Sequence, residues 1–357
     1  MSFEFLVNPR RADALGVPAD PAAAAAADAA PAFHRGLDGY APSALRDAPE
    51  LADSMRVARV WLKVETERFG LPAFKILGAS WAAERLLEGR DATGATLVTA
   101  TDGNHGRAVA RVARMRGLRA HILVPGATAR ARVDGIAGEG AYVEVVDGSY
   151  DDAVRKAAAM ADDTHVVLSD TSWPGYEDVP RWVVEGYETI FREADAQLDG
   201  MPDVAFIPIG VGSLAVAAAA HWAGERPRLV GLEPTSAACA LESIRAGRPV
   251  TVPGPHESIM AGLNAGSVSQ LAWPVLRDRF DAFCTIGDSR AEDGMRRLAA
   301  LGIEAGEVSG GTVGAALALC ADDQARAALE IDGASTIFLL LTEGLTDPDS
   351  WNRVVST

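Results

Sequence analysis

The chain has 357 residues, 48% of them hydrophobic, which is material for two cores, and its length suggests roughly two domains. A formal net charge of -16 argues against nucleic acid or an anionic membrane surface as the main partner, since either would favour a basic patch. Cys239, Cys284 and Cys320 fall in no CxxC or Cys/His spacing, so neither a disulfide framework nor a metal site is indicated, and a reducing, cytoplasmic setting is expected.

The first residues carry no basic region followed by an apolar stretch, so nothing marks the chain for export. The alanine-rich tract at 21–28 reads as a short surface helix or tether. Residues 60–64, Val-Trp-Leu-Lys-Val, read as a strand with one solvated face, which places Lys63 towards solvent, where arginine would serve as well. Only three lysines stand against thirty arginines. One of them, Lys75, sits inside the apolar segment Leu71-Pro-Ala-Phe-Lys-Ile-Leu-Gly78, where an ammonium that can lose its proton and attack a carbonyl does what guanidinium cannot.

From residue 95 short β-branched runs alternate with amphipathic helical runs. Strands are expected at 95–99, 120–124, 142–146 and 165–168, with helices at 106–117 and about 150–161 between them, which is the pattern of a parallel α/β sheet. Lys156 falls on the second of these helices as an ordinary surface cation. A second set of strands is expected at 204–208, 228–232, 283–286 and 336–341. With the segment up to Lys75 it forms a larger sheet. The uncharged stretch 204–224 is long enough to span a bilayer, but Pro208, Gly210 and Gly212 interrupt it, and a strand, a tight loop and a helix fit better. The expected fold is thus α/β with two open, mostly parallel sheets flanked by helices. Residues 1–77 and 173–357 form the larger domain and 78–172 the smaller.

Four clusters follow predicted strands, at the carboxyl edge where ligands bind in open α/β sheets. Thr101-Asp-Gly-Asn-His-Gly106 opens a helix and offers Asn104 as donor and acceptor; His105 taken by itself is as well explained by structure as by chemistry. Pro208-Ile-Gly-Val-Gly-Ser-Leu214 brings the N–H groups of Gly210, Val211, Gly212, Ser213 and Leu214 to a helix N-terminus, with the Ser213 hydroxyl added, as an anion cradle. It lacks the Walker lysine and the dinucleotide spacing, which favours a single phosphate. Thr342 ends the last apolar strand, where a neutral hydroxyl can meet a ring nitrogen. Asp170, in Ser169-Asp-Thr-Ser-Trp173, can accept a proton or cap a turn. A reactive lysine, a phosphate cradle, an amide and a neutral hydroxyl are together the parts that a pyridoxal 5'-phosphate site requires.

With these motifs the chain resembles the tryptophan-synthase-type, fold type II pyridoxal phosphate enzymes, and among them the diaminopropionate ammonia-lyases. Arg68-Phe-Gly-Leu-Pro-Ala-Phe-Lys-Ile-Leu-Gly78, Thr101-Asp-Gly-Asn-His-Gly-Arg107, Asp170-Thr-Ser-Trp-Pro-Gly-Tyr176, Gly210-Val-Gly-Ser213, Glu233-Pro, Ile259-Met-Ala-Gly-Leu263 and Thr342-Glu-Gly344 carry the resemblance. Gly78-Ala-Ser, in place of a Gly-Gly pair, and Leu345 depart from the pattern.

The resemblance implies that Lys75, beside Phe74, holds the cofactor as a Schiff base, that Asn104 meets the ring's phenolic oxygen and that Thr342 meets its nitrogen. Asp102 and Asp170 would be bases on opposite faces of the substrate, Asp170 with a pKa raised by burial, and Lys75, once freed, is the competing base. The reaction implied is elimination of ammonia from 2,3-diaminopropionate in either configuration, giving pyruvate and ammonia. It also implies a homodimer acting on a small amino acid, with no metal. The alternatives are elimination or replacement on another β-substituted alanine, as in serine or threonine dehydratases or cysteine synthases, and a non-catalytic binding protein with this fold.

Overall fold

The computed structural model describes residues 3–11, 21–101, 103–223 and 227–356. Eleven strands appear among them in chain order: β1 (Phe3–Val7), β2 (Ala44–Asp47), β3 (Arg59–Val64), β4 (Thr96–Ala100), β5 (Arg119–Pro125), β6 (Tyr142–Val146), β7 (His165–Val167), β8 (Val204–Pro208), β9 (Arg228–Pro234), β10 (Ala282–Ile286) and β11 (Thr336–Leu341). They form a seven-stranded sheet of order β1-β10-β9-β8-β11-β3-β2 and a four-stranded sheet of order β6-β5-β4-β7. All pairings are parallel except those of the two edge strands of the large sheet, β1 with β10 and β2 with β3.

Both faces of the large sheet are covered, which is why its strands read as unbroken apolar runs. Along β11 the side chains alternate: Phe338 and Leu340 face one core with the helices Ile76–Leu87, Asp178–Gln197 and Ser213–His221. Ile337, Leu339 and Leu341 face the other, with the helix Glu307–Ala321. The first core also takes Leu97, Ile122 and Val166 from the small sheet, so one continuous apolar cluster joins the two sheets. Val98, Leu123 and Val167, on the opposite face of the small sheet, pack on Ala153 and Ala157 of the helix Tyr150–Ala159.

Three readings change or gain detail. The tract at 21–28 lies in a longer helix, Pro21–Arg35. The uncharged stretch is β8, a loop and the helix Ser213–His221, and no described helix is long and apolar enough to cross a membrane. Lys63 is not on a solvated face. It is completely buried, because β3 lies inside the sheet and the helix Asp178–Gln197 covers that side.

Candidate active site

Every strand exit that matters opens on the same cleft between the sheets. β4 leads into Thr101, whose hydroxyl accepts from Gly103 N at 2.9 Å and Gly106 N at 3.2 Å and so starts the helix Asn104–Met115. β7 leads into Asp170 through a turn pinned by Tyr176, whose hydroxyl donates to Val167 O at 2.8 Å and accepts from Ser169 N at 3.0 Å. β8 leads into the glycine loop, where Gly212 has φ +104°, a left-handed conformation natural to glycine, and no side chain caps the helix that follows. β11 leads into Thr342, 5% exposed. The turn after β3 ends at Lys75, immediately before the helix Ile76–Leu87.

A single cavity is lined by Phe74, Lys75, Asn104 and Asp170 on one side, and by Gly210 to Leu214 and Thr342 on the others. All the expected site residues that the structure describes therefore meet there; Asp102 lies outside the described residues. Lys75 Nζ donates to Asp170 Oδ2 at 2.8 Å and lies 5.6 Å from the centroid of the Phe74 ring. Burial works to lower the Lys75 pKa, but the Asp170 carboxylate outweighs it and raises it above the normal lysine range. For Asp170, burial pushes upward, yet its neighbours His105 and Lys75 prevail and bring its pKa down to about 2. The expectation that burial alone would raise Asp170 is thus overturned by the ammonium beside it.

The Ser213 hydroxyl also differs from expectation. It donates to the Asp170 carbonyl at 2.7 Å, so its proton ties the loop to the Asp170 segment and is not directed at an anion. Asn104 Nδ2 donates to Glu343 Oε2 at 2.7 Å, and Glu343 Oε1 accepts from Val308 N at 3.1 Å. Glu343, Arg132, His105 and Ala261 to Ala265 line the cavity too. Tyr187, buried next to Lys75, packs its ring edge-on to Phe74 at 4.7 Å. Sequence reasoning left Glu343, Arg132 and Tyr187 out of the site. Only Glu343 had a signal, as an acid directly after an apolar strand.

The profile of the pyridoxal-phosphate dependent enzymes matches residues 36–343. The chain belongs to that family. Among its relatives, diaminopropionate ammonia-lyase from Salmonella typhimurium is 33% identical over 365 residues, covering 91% of this chain and 90% of the relative. The Escherichia coli enzyme of the same name is 33% identical, covering 90% and 89%. A crystal structure of the Escherichia coli enzyme, in complex with an aminoacrylate-PLP azomethine reaction intermediate, superposes with a TM-score of 0.88 at 30% identity, covering 99% of this chain and 97% of that one. The fold type II architecture and the cofactor read from the motifs are therefore those of the family.

The side chains present suit pyridoxal phosphate. An amine and an uncapped helix N-terminus line the same cavity, a nucleophile for the carbonyl and N–H groups for the phosphate, and Gly210 has no side chain to fill the space beside Gly262 O. Among the described residues no group of three His, Cys, Asp or Glu side chains is placed to hold a metal ion, and the three cysteines are buried and free.

Proposed function

We propose that this protein eliminates ammonia from 2,3-diaminopropionate, with pyruvate and a second ammonia as the end products. The supporting observation is the Lys75–Asp170 pair, 2.8 Å apart, facing the Gly210 to Leu214 loop across one cavity. Relatives that cover nine tenths of the chain carry the name of this reaction. Bound pyridoxal phosphate supplies the electron sink that makes the substrate Cα–H acidic.

Lys75 is the amine that holds the cofactor, and the N–H groups of Gly210, Val211, Gly212, Ser213 and Leu214 take its phosphate. Phe74 packs beside the lysine. Asn104, held by Glu343, meets the phenolic oxygen, and the Thr342 hydroxyl meets the ring nitrogen without charging it. Asp170, ionised over the whole working range, accepts the Cα proton on one face of the substrate; Asp102 serves the other face, a role that rests on the motif alone. We divide the chain into 1–77 with 173–357 and 78–172, a reading supported by the separate four-stranded sheet of β4 to β7, and a cytoplasmic homodimer is the expected form.

Purified protein should absorb near the cofactor band and release ammonia and pyruvate from diaminopropionate. Turnover of serine, threonine or an acylated serine with none of diaminopropionate would overturn the substrate assignment. Asp170→Asn should lower kcat for one isomer by roughly 10²- to 10⁴-fold and spare the other. Undiminished turnover of both isomers would exclude Asp170 as a base.

A further inference from the structure

His105 lies in the first turn of the helix Asn104–Met115, 4% exposed, on the wall of the cavity. Its Nε2 is 3.0 Å from Leu168 O. A carbonyl oxygen only accepts, so Nε2 carries the hydrogen and Nδ1 presents a bare lone pair. Nδ1 is buried and has no hydrogen-bond partner among the described residues. Asp170 Oδ2 lies 3.8 Å from it, and the same oxygen receives Lys75 Nζ. A histidine kept for packing would normally satisfy both nitrogens when buried. His34 does so, through Thr189 on one side and Leu77 O and Ser80 on the other.

We propose that His105 Nδ1 takes over the substrate proton from Asp170 and passes it to the departing ammonia. The inference rests on the reading of Asp170 as the base for one isomer. The Cα–H bond breaks and an O–H bond forms on Asp170, while the C–H electrons end in the Cα–Cβ bond. The proton moves from Asp170 to Nδ1, which restores the carboxylate, and from the imidazolium to the neutral β-amino nitrogen as the Cβ–N bond breaks, so that the bond's electrons leave on neutral ammonia. Nε2–H stays on Leu168 O throughout. Burial lowers the His105 pKa, and Lys75 adds to this against the opposing pull of Asp170, which favours the form of the ring whose Nδ1 lone pair is free to accept.

His105→Gln keeps an amide N–H for Leu168 O and removes the titratable lone pair; His105→Asn, whose shorter amide lies where Nδ1 was, also removes it and serves if the first variant does not fold. With the cofactor-loaded enzyme, either variant should lower kcat by about tenfold or more for the isomer that Asp170→Asn disables. The other isomer should stay within about twofold, with KM for both and the cofactor absorbance unchanged. Equal loss with both isomers, or no loss with either, overturns the proposal. If Asp170→Asn itself impairs both isomers equally, the reading of Asp170 fails; if Asp170→Asn is selective and the His105 variants are not, the relay alone fails.

Discussion

Lys63 Nζ donates to Ser43 O at 2.9 Å, Glu193 Oε2 at 3.1 Å and Gln197 Oε1 at 2.9 Å, which uses all three of its hydrogens. Arg68 joins the same buried network, with Nη1 2.8 Å from Glu193 Oε1 and Nε 3.0 Å from Glu65 Oε2. Removing one cation leaves two buried carboxylates facing a single guanidinium. Lys63→Met should therefore destabilise the fold by roughly 3–5 kcal/mol, read from denaturant midpoints. Lys63→Arg should also destabilise, because the planar fork cannot reach three acceptors arranged around one point. No local pattern announced this. Glu193 is 130 residues away in the chain, just as Leu168 is 63 from His105 and Glu343 is 239 from Asn104. Lys75 was legible because its signal is local: a lysine between apolar neighbours in a chain that elsewhere prefers arginine.

The helices Ile76–Leu87 and Asp178–Gln197 cross almost backbone to backbone. A methyl group on Gly186 would lie 2.4 Å from Leu77 O and 2.7 Å from Gly78 Cα, and one on Gly78 would lie 2.6 Å from the Tyr187 ring. This closeness sets Tyr187 and Phe74 around Lys75, at the start of the first helix. Gly186→Ala must part the helices. It should destabilise by about 1–3 kcal/mol and lower turnover, whereas Gly333→Ala, which meets no neighbouring atom, should leave turnover unchanged. The interior strands were legible because a strand buried on both faces is apolar at every position, as in Thr336–Leu341. β2, four residues with two charges at a sheet edge, offers no such run, and the sequence gives no way to read it. The glycine crossing is equally silent, since a glycine in a helix has the same appearance whether or not another backbone approaches it.

Across the whole molecule, the helix Ser213–His221 connects the glycine loop to a charged patch at its far end. His221 donates from both ring nitrogens, Nδ1 to Glu188 Oε1 at 2.7 Å and Nε2 to Asp195 Oδ2 at 2.8 Å. Burial works to lower its pKa, but the hydrogen bonds and charges of Asp195 and Glu188 raise it from 6.5 to about 9. A pKa raised on folding gives stability that is complete below 6.5 and lost as pH rises through about 9. The unfolding free energy should fall by on the order of 3 kcal/mol over that interval, and the fall should be smaller in His221→Asn. An unchanged slope in the variant would show that the patch does not titrate as described.

The scarcity of lysine has a practical side. Lys63 is sealed, Lys156 is on the outside with 48% of its side chain open, and Lys75, at 24%, is reachable only through the cleft. An acylating reagent then meets two very different ε-amines. Labelling at 156 reports on reagent and time, and labelling at 75 relative to it reports on occupancy of the cleft, so two peptides in a mass spectrum would follow loading of the enzyme without any turnover.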